Sequence, residues 1–230
     1  MITIAPSILA AGGQPPEEYI CVLREQGIRY LHIDVMDGGY VPNFGLNLMD
    51  IKKLRQSTDM VFDVHLMVRD PLSWGLAAIR AGADVVTFHP ETVPEPVKVL
   101  KTFHECGVRT GIVFRPDILA DSVPETWICC SDVVQQMTVQ PGLPGQTFIR
   151  DTLWNIRKLR RILDQCHPEA DLEADGDITA HNLLDVLDAG VNVIVSGKGI
   201  FKGSLCQNVR EFIKITGLYE ERTHEICNRY

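Results

Sequence analysis

Three short strings place residues that can bind a cation and move protons at the ends of apolar runs: His32-Ile33-Asp34, Asp63-Val64-His65 and Glu173-Ala174-Asp175. In an extended strand, residues two apart share a face. His32 and Asp34 therefore project to one side, and His65 projects to the side of Met67. If the three strand ends converge, two imidazoles and two carboxylates from His32, Asp34, His65 and Asp175 meet in one pocket. Neutral imidazole and carboxylate are ordinary ligands for zinc or another first-row divalent ion. A carboxylate that ligates through one oxygen keeps the other for proton transfer, and an open coordination position lets the ion polarise a substrate carbonyl. Each residue alone has a plainer explanation: His65 as hydrogen-bonded core, Asp34 or Asp175 as a helix cap or turn residue. Their shared placement at strand ends is what points to a metal.

Other residues would shape such a pocket. Met36, Met67 and Met137 also end strands, either as core filler or as a polarizable apolar lining. His89 ends a fourth run, where it either touches a substrate hydroxyl or makes a local hydrogen bond. Gly142 and Gly145 lie in a turn whose backbone amides can approach an oxyanion. Asp175-Gly176-Asp177 and Ser196-Gly197-Lys198-Gly199 follow the seventh and eighth runs, whose loops frequently hold phosphate in barrel enzymes. Gly197 can bring amides to the start of the next helix, and Lys198 adds a positive charge.

The elements that must position these groups alternate along the whole chain. Strand-like runs fall near residues 2–9, 30–36, 60–67, 85–88, 109–114, 132–139, 171–175 and 191–196, with helical patterns such as 17–26, 72–81, 150–165 and 180–189 between them. The joint Ala81-Gly82-Ala83-Asp84-Val85 is echoed by Ala189-Gly190-Val191-Asn192-Val193, with glycine where a helix ends. Eight βα units predict an α/β fold with a parallel sheet, and the count favours a single-domain (β/α)8 TIM barrel over an open doubly wound sheet. The barrel is expected over residues 1–217, with 218–230 as a C-terminal helix extension or tail. A formal net charge of -8 disfavours nucleic acid and anionic membrane as partners. No apolar run approaches a bilayer span, and the N-terminus lacks the pattern of a signal peptide. The seven cysteines are scattered without a CxxC pair, so the expectation is reduced thiols in a cytoplasmic protein.

At these residues the sequence resembles the ribulose-phosphate 3-epimerase family, among the ribulose-phosphate-binding barrels. The likeness runs from Ala5-Pro6-Ser7-Ile8-Leu9 to Ile200-Phe201. It is strongest at His32-Ile33-Asp34-Val35-Met36-Asp37-Gly38, Val41-Pro42-Asn43, His65-Leu66-Met67-Val68 and Met137-Thr138-Val139, with Pro141-Gly142 and Gly145-Gln146 added. The resemblance implies an isomerase that inverts C3 of a ketose phosphate, most simply D-ribulose 5-phosphate to D-xylulose 5-phosphate. It implies one divalent ion, zinc or iron first and manganese or cobalt as alternatives, held by His32, Asp34, His65 and Asp175, with no organic cofactor. Asp34 and Asp175 would be the acid/base pair, the three methionines would shield the planar intermediate, and Ser7 would contact substrate. A homo-oligomer is implied as well.

The chain departs from the family pattern around the expected substrate mouth. Asp177 stands where a glycine is usual, Lys198 where a serine is usual, Pro144 replaces a common glycine, Gly39 replaces a larger polar residue, and the loop after Asn43 is two residues short. These departures leave open the same chemistry on another ketose, a hexulose 6-phosphate or an unphosphorylated sugar. A reading from another class, a non-catalytic barrel that only binds sugar phosphate, does not need two proton-transfer carboxylates.

Overall fold

The computed structural model describes residues 1–143 and 145–227, with side chains as far as residue 225. The expectation at Pro144 and the end of the tail at 228–230 lie outside the described residues. Eight strands alternate with helices: β1 Thr3–Pro6, β2 Tyr30–Met36, β3 Val61–Met67, β4 Val85–Phe88, β5 Arg109–Phe114, β6 Val133–Met137, β7 Asp171–Asp175 and β8 Val193–Ser196. The helices are α1 Pro16–Glu25, α2 Leu48–Arg55, α3 Pro71–Ala81, α4 Pro96–Glu105, α5 Glu125–Cys129, α6 Thr152–Cys166, α7 Leu183–Asp188, α8 Lys198–Phe201 and α9 Leu205–Cys227. All neighbouring strands pair in parallel, in the order β1-β8-β7-β6-β5-β4-β3-β2. One isolated bridge, Ser7 to His32, draws β1 toward β2. The architecture is the expected eight-stranded α/β barrel.

Alternation along the strands sorts the chain into two environments. Leu31, Ile33 and Val35 of β2, with Phe62, Val64 and Leu66 of β3, join the main apolar cluster together with Leu23, Leu54 and Phe103 from the surrounding helices. That cluster fills the annulus between sheet and helices. The opposite face of the same strands points inward, and there it is polar: His32, Asp34, Asp63, His65, Thr87, Gln135 and Glu173 are all buried. An inward polar layer persists only if its members satisfy one another. The repeated helix-to-strand joint forms as expected, with Gly82 at φ 112 and Gly190 at φ 105, a region that favours residues without Cβ.

Two boundaries differ most from the sequence expectation. β1 stops at Pro6, because Ile8–Ala11 turns into a 3-10 segment. α7 begins at Leu183 rather than near 180, because Asn182 is spent on the preceding loop: its Oδ1 accepts from the Thr179 N–H and its Nδ2 donates to the Asp177 carbonyl. The expectation of reduced thiols fails at one pair. Cys129 ends α5 and Cys166 ends α6, and they form a disulfide with Cα atoms 5.5 Å apart, a pairing hidden by 37 residues of separation. α9 runs through Gly217 without interruption. It is tied back to the barrel by Glu220, which accepts from the Ile2 N–H at 2.6 Å, and by an Arg222–Asp188 ion pair at 2.8 Å. Among the described residues no helix is long and apolar enough to cross a membrane.

Candidate metal centre

Register brings the predicted ligands together. Parallel pairing sets Asp34 beside His65 and Met36 beside Met67 across β2 and β3, and Met137 beside Asp175 across β6 and β7. His65 Nδ1 lies 3.4 Å from Asp34 Oδ1 and 3.7 Å from Asp175 Oδ2. His32 Nε2 lies 3.6 Å from Asp34 Oδ1 and 3.8 Å from Asp175 Oδ2. One donor atom from each of the four residues falls within 4.8 Å of all the others. Four arms of zinc-like length arranged tetrahedrally have edges of about 3.3 Å, close to these separations. His32 Nε2 is also buried with no hydrogen-bond partner, and it points into the cluster. The donor set therefore fits a divalent ion.

Ser7 and Asp63 hold two of the ligands and leave their inward atoms available, while Gln135 bonds to donor atoms of the other two. Ser7 Oγ donates to Asp34 Oδ2 at 2.8 Å, so Oδ1 faces the cluster. His32 Nδ1 meets Asp63 Oδ2 at 2.7 Å, with Glu173 Oε1 at 3.7 Å, so Nε2 faces inward. Gln135 Oε1 accepts from Thr87 Oγ1 at 3.0 Å, and its amide nitrogen reaches His65 Nδ1 at 3.3 Å and Asp175 Oδ2 at 3.2 Å. Behind His65, Nε2 lies 3.0 Å from His89 Nε2.

The two aspartates are pushed in opposite directions. Burial favours the neutral form of Asp34, yet His32 and His65 beside it outweigh that and hold its carboxyl far below the usual range. At Asp175 burial dominates. The two histidines pull its pKa down, the negative charge of Asp34 pushes it up, and the result is about 6. One ionised and one protonatable carboxyl lining the same pocket is an arrangement suited to acid/base chemistry. Beneath them, burial followed by the charge of Asp63 raises Glu173 well above its ordinary value. For His32 burial works the other way, but Asp63 and Asp34 outweigh it and raise the imidazole.

A cavity of ≈ 340 Å³ opens onto the cluster, lined by Asp34, Asp175, Met36, Met67 and Met137, with Phe44 and Gly142 at its edge. A second of ≈ 330 Å³ shares Leu9, Val139, Leu143 and Asp175 with it and reaches Ser7, Gly145, Asp177, Gly197 and Lys198. The two make one continuous mouth. A larger cavity of ≈ 470 Å³ between α1 and α2 includes Tyr19, Lys53 and Ser57 but none of the cluster; chemistry, not size, picks the site. Gly176 borders the mouth, packed on Thr138 and Val139. Lys198 Nζ faces Asp177 Oδ1 at 3.8 Å, and Asp177 adopts φ 50, left-handed for a residue with a side chain.

The structure places His89 away from this mouth, fully buried behind His65. Sequence reading assigned no task to Asp63, Thr87 or Gln135. The available signal was position: Asp63 and Gln135 lie two residues before His65 and Met137, so they share the inward face one layer down.

Residues 3–201 match the Ribulose-phosphate 3 epimerase family. The chain is 36% identical over 208 residues to the ribulose-phosphate 3-epimerase of Escherichia coli (strain K12), covering 86% of this chain and 88% of that protein. It is 35% identical over 202 residues to the one from Synechocystis sp., covering 87% of each, and 34% identical over 203 residues to the one from Bacillus subtilis, covering 87% and 93%. Among solved structures, a mutant tryptophan synthase alpha-subunit from Pyrococcus furiosus superposes with TM-score 0.64 at 13% identity, covering 93% and 98%. A 3-hexulose-6-phosphate synthase superposes with TM-score 0.60 at 15% identity, covering 92% and 97%. These last two share the fold alone.

Proposed function

The chain belongs to the ribulose-phosphate 3-epimerase family, and from that premise we propose that it inverts C3 of a ketose phosphate, D-ribulose 5-phosphate to D-xylulose 5-phosphate. It is an isomerase of the epimerase type acting on carbohydrates. The observation that carries the substrate-level reading is the pair of carboxylates, buried Asp34 and partly buried Asp175, that line one cavity walled by three methionines.

A hydrogen next to a ketone is a weak acid, so its removal needs both a base and relief of the charge that builds on oxygen. His32, Asp34, His65 and Asp175 would hold a divalent ion, zinc or iron, with manganese and cobalt suited to the same nitrogen and oxygen donors. That ion supplies stabilisation of the negative charge developing on the substrate oxygens. Asp34, held ionised, accepts the C3 proton from one face. Asp175, whose carboxyl can carry a proton near neutral pH, returns one to the opposite face, and the configuration inverts. Each proton transfer is reversible, so the two carboxyls exchange roles when the reaction runs backward. Met36, Met67 and Met137 exclude water from the planar enediolate. Ser7 orients Asp34 through its 2.8 Å hydrogen bond and lies within reach of substrate at the mouth.

Gly142, Gly145, Gly176 and Gly197 surround the far end of the mouth, where backbone amides would take the phosphate, with Lys198 as a point charge. Asp177 favours a second reading: the same inversion on a different ketose. Its carboxylate sits where it repels a phosphate dianion unless Lys198 offsets it. Self-association into a homo-oligomer belongs to the same proposal and is read by sedimentation of the purified chain.

Metal-loaded protein incubated in D2O with a panel of ketoses and ketose phosphates tests the reading. Deuterium should enter C3 of D-ribulose 5-phosphate. Exchange into a hexulose 6-phosphate or an unphosphorylated ketose alone replaces the substrate, and no exchange with any of them overturns the epimerase chemistry.

A further inference from the structure

His65 is the ligand whose tautomer matters most, because its two ring nitrogens face different worlds. Nδ1 looks toward Asp34 Oδ1 at 3.4 Å and Asp175 Oδ2 at 3.7 Å. Nε2 looks away from the cavity, toward His89 Nε2 at 3.0 Å. A neutral imidazole carries one N–H and one lone pair, so a lone pair at Nδ1 requires a proton at Nε2, and that proton requires an acceptor. Both rings are fully buried, so water does not supply it.

We propose that His89, backed by Glu91, is a positioning residue: it accepts the His65 Nε2–H and so fixes His65 as the tautomer that presents an Nδ1 lone pair to the cluster. The relay continues outward with consistent direction. When His89 Nε2 accepts, His89 Nδ1 carries the second proton. That atom is buried, has no hydrogen-bond partner, and lies 3.6 Å from Glu91 Oε1. Glu91 Oε1 accepts from Tyr40 Oη at 2.6 Å, which pins the carboxylate, and the Tyr40 ring lies over His89 with centroids 4.7 Å apart. Thr92 Oγ1 donates to the His89 carbonyl at 2.6 Å and fixes the backbone that carries the ring. From the other side, Gln135 can donate to His65 Nδ1 only if that atom has a lone pair, and the Thr87 hydrogen bond turns the Gln135 amide that way round. Both neighbours are thus compatible with the same tautomer, against the pull of Asp34 Oδ1 on an Nδ1 proton. An outer partner of this type orients a ligating histidine and raises its basicity.

The inference rests on the metal-holding part of the proposed function, but not on the identity of the ketose. Its test uses zinc alone and two readouts: competition with a chromophoric chelator, and long-range 1H–15N correlation of the imidazoles in the metal-free chain. The wild-type chain should show His65 as the Nε2–H tautomer. His89→Leu, which fills space but cannot accept, should give mixed tautomers and weaken zinc binding about 10–100-fold. His89→Gln, which keeps an acceptor, should recover most of the affinity. Zinc affinity and tautomer both unchanged in His89→Leu overturn the proposal. If that variant does not fold, Glu91→Gln at the partly exposed outer end decides: a measurable loss of zinc affinity supports the relay, and an unaltered affinity and tautomer overturn it. Neither readout involves turnover, so a wrong substrate assignment fails separately, in the exchange assay.

Discussion

His32, Asp34, His65 and Asp175 hang from three strands, and neighbouring side chains fix them at 2.7 to 3.3 Å. Asp177 and Lys198 stand on loops a few residues further on and face each other across 3.8 Å, with the Lys198 side chain 53% exposed. The inner end is set before any substrate arrives: each of the four residues is hydrogen-bonded to at least one neighbouring side chain. The rim is built from a single long ion pair in solvent, of the kind that contributes little to stability. On the proposed function, chemistry falls where the fold is over-determined, and substrate choice where a side chain can change at small cost.

The strongest break of that contrast is at the inner end. Asp34→Asn and Asp175→Asn should each lower turnover about 10²–10⁴-fold while the chain keeps its circular dichroism spectrum; retention of near-normal turnover in either would remove that residue from proton transfer. At the rim, Lys198→Ala should lower kcat/KM for a phosphorylated ketose about tenfold or more and leave an unphosphorylated analogue nearly unaffected. An equal loss on both would show that Lys198 does not touch phosphate.

A third test sharpens the inner end through pH. Burial, followed by the closeness of the His65 ring and then the positive charge of Arg115, holds His89 well below its ordinary value of 6.5. The unfolded chain takes up a proton below that value while the folded chain refuses it. The resulting stability is full above about pH 6.5 and is lost as pH falls below it. Metal-free wild type should therefore lose melting temperature on mild acidification more steeply than His89→Gln; parallel curves would mean that His89 is protonated in the fold. The smallest effect is expected at Asp177→Gly. Relief of the left-handed φ is offset by a more flexible unfolded chain, so stability should stay within about 1 kcal/mol of wild type. Any change should appear instead as a lower KM for phosphorylated substrate, and a KM that rises would place Asp177 on the substrate.

The inner end was largely legible from the sequence and its supports were not. His32 and Asp34 sit two apart and His65 closes a neighbouring apolar run, so strand geometry alone aims them inward. What backs them comes from remote strands: Asp63 lies 31 residues from His32, and Gln135 lies 70 from His65 and 40 from Asp175. Only the register of the closed sheet joins such pairs. His89 illustrates the limit. A histidine at a strand end reads as a substrate contact or a local hydrogen bond, and one turn of register about the barrel decides that it stands behind another histidine. The end of β1 was misjudged for a local reason, since the apolar residues Ile8 and Leu9 continue the strand pattern while the backbone has already turned.

That turn places Ser7 at the one seam of the barrel. Elsewhere neighbouring strands share continuous ladders, but β1 and β2 meet at a single bridge, Ser7 to His32, reinforced by the Ser7–Asp34 hydrogen bond. The clasp of the hoop thus joins His32 and Asp34 of the donor cluster to Ser7 of the cavity wall. Opening there is the cheapest breathing motion available to the sheet, and anything that draws Asp34 toward His65 and Asp175 fastens it. Amide exchange at residues 3–7 and 30–34 then becomes a gauge of occupancy: slow when the pocket is filled, fast when it is empty.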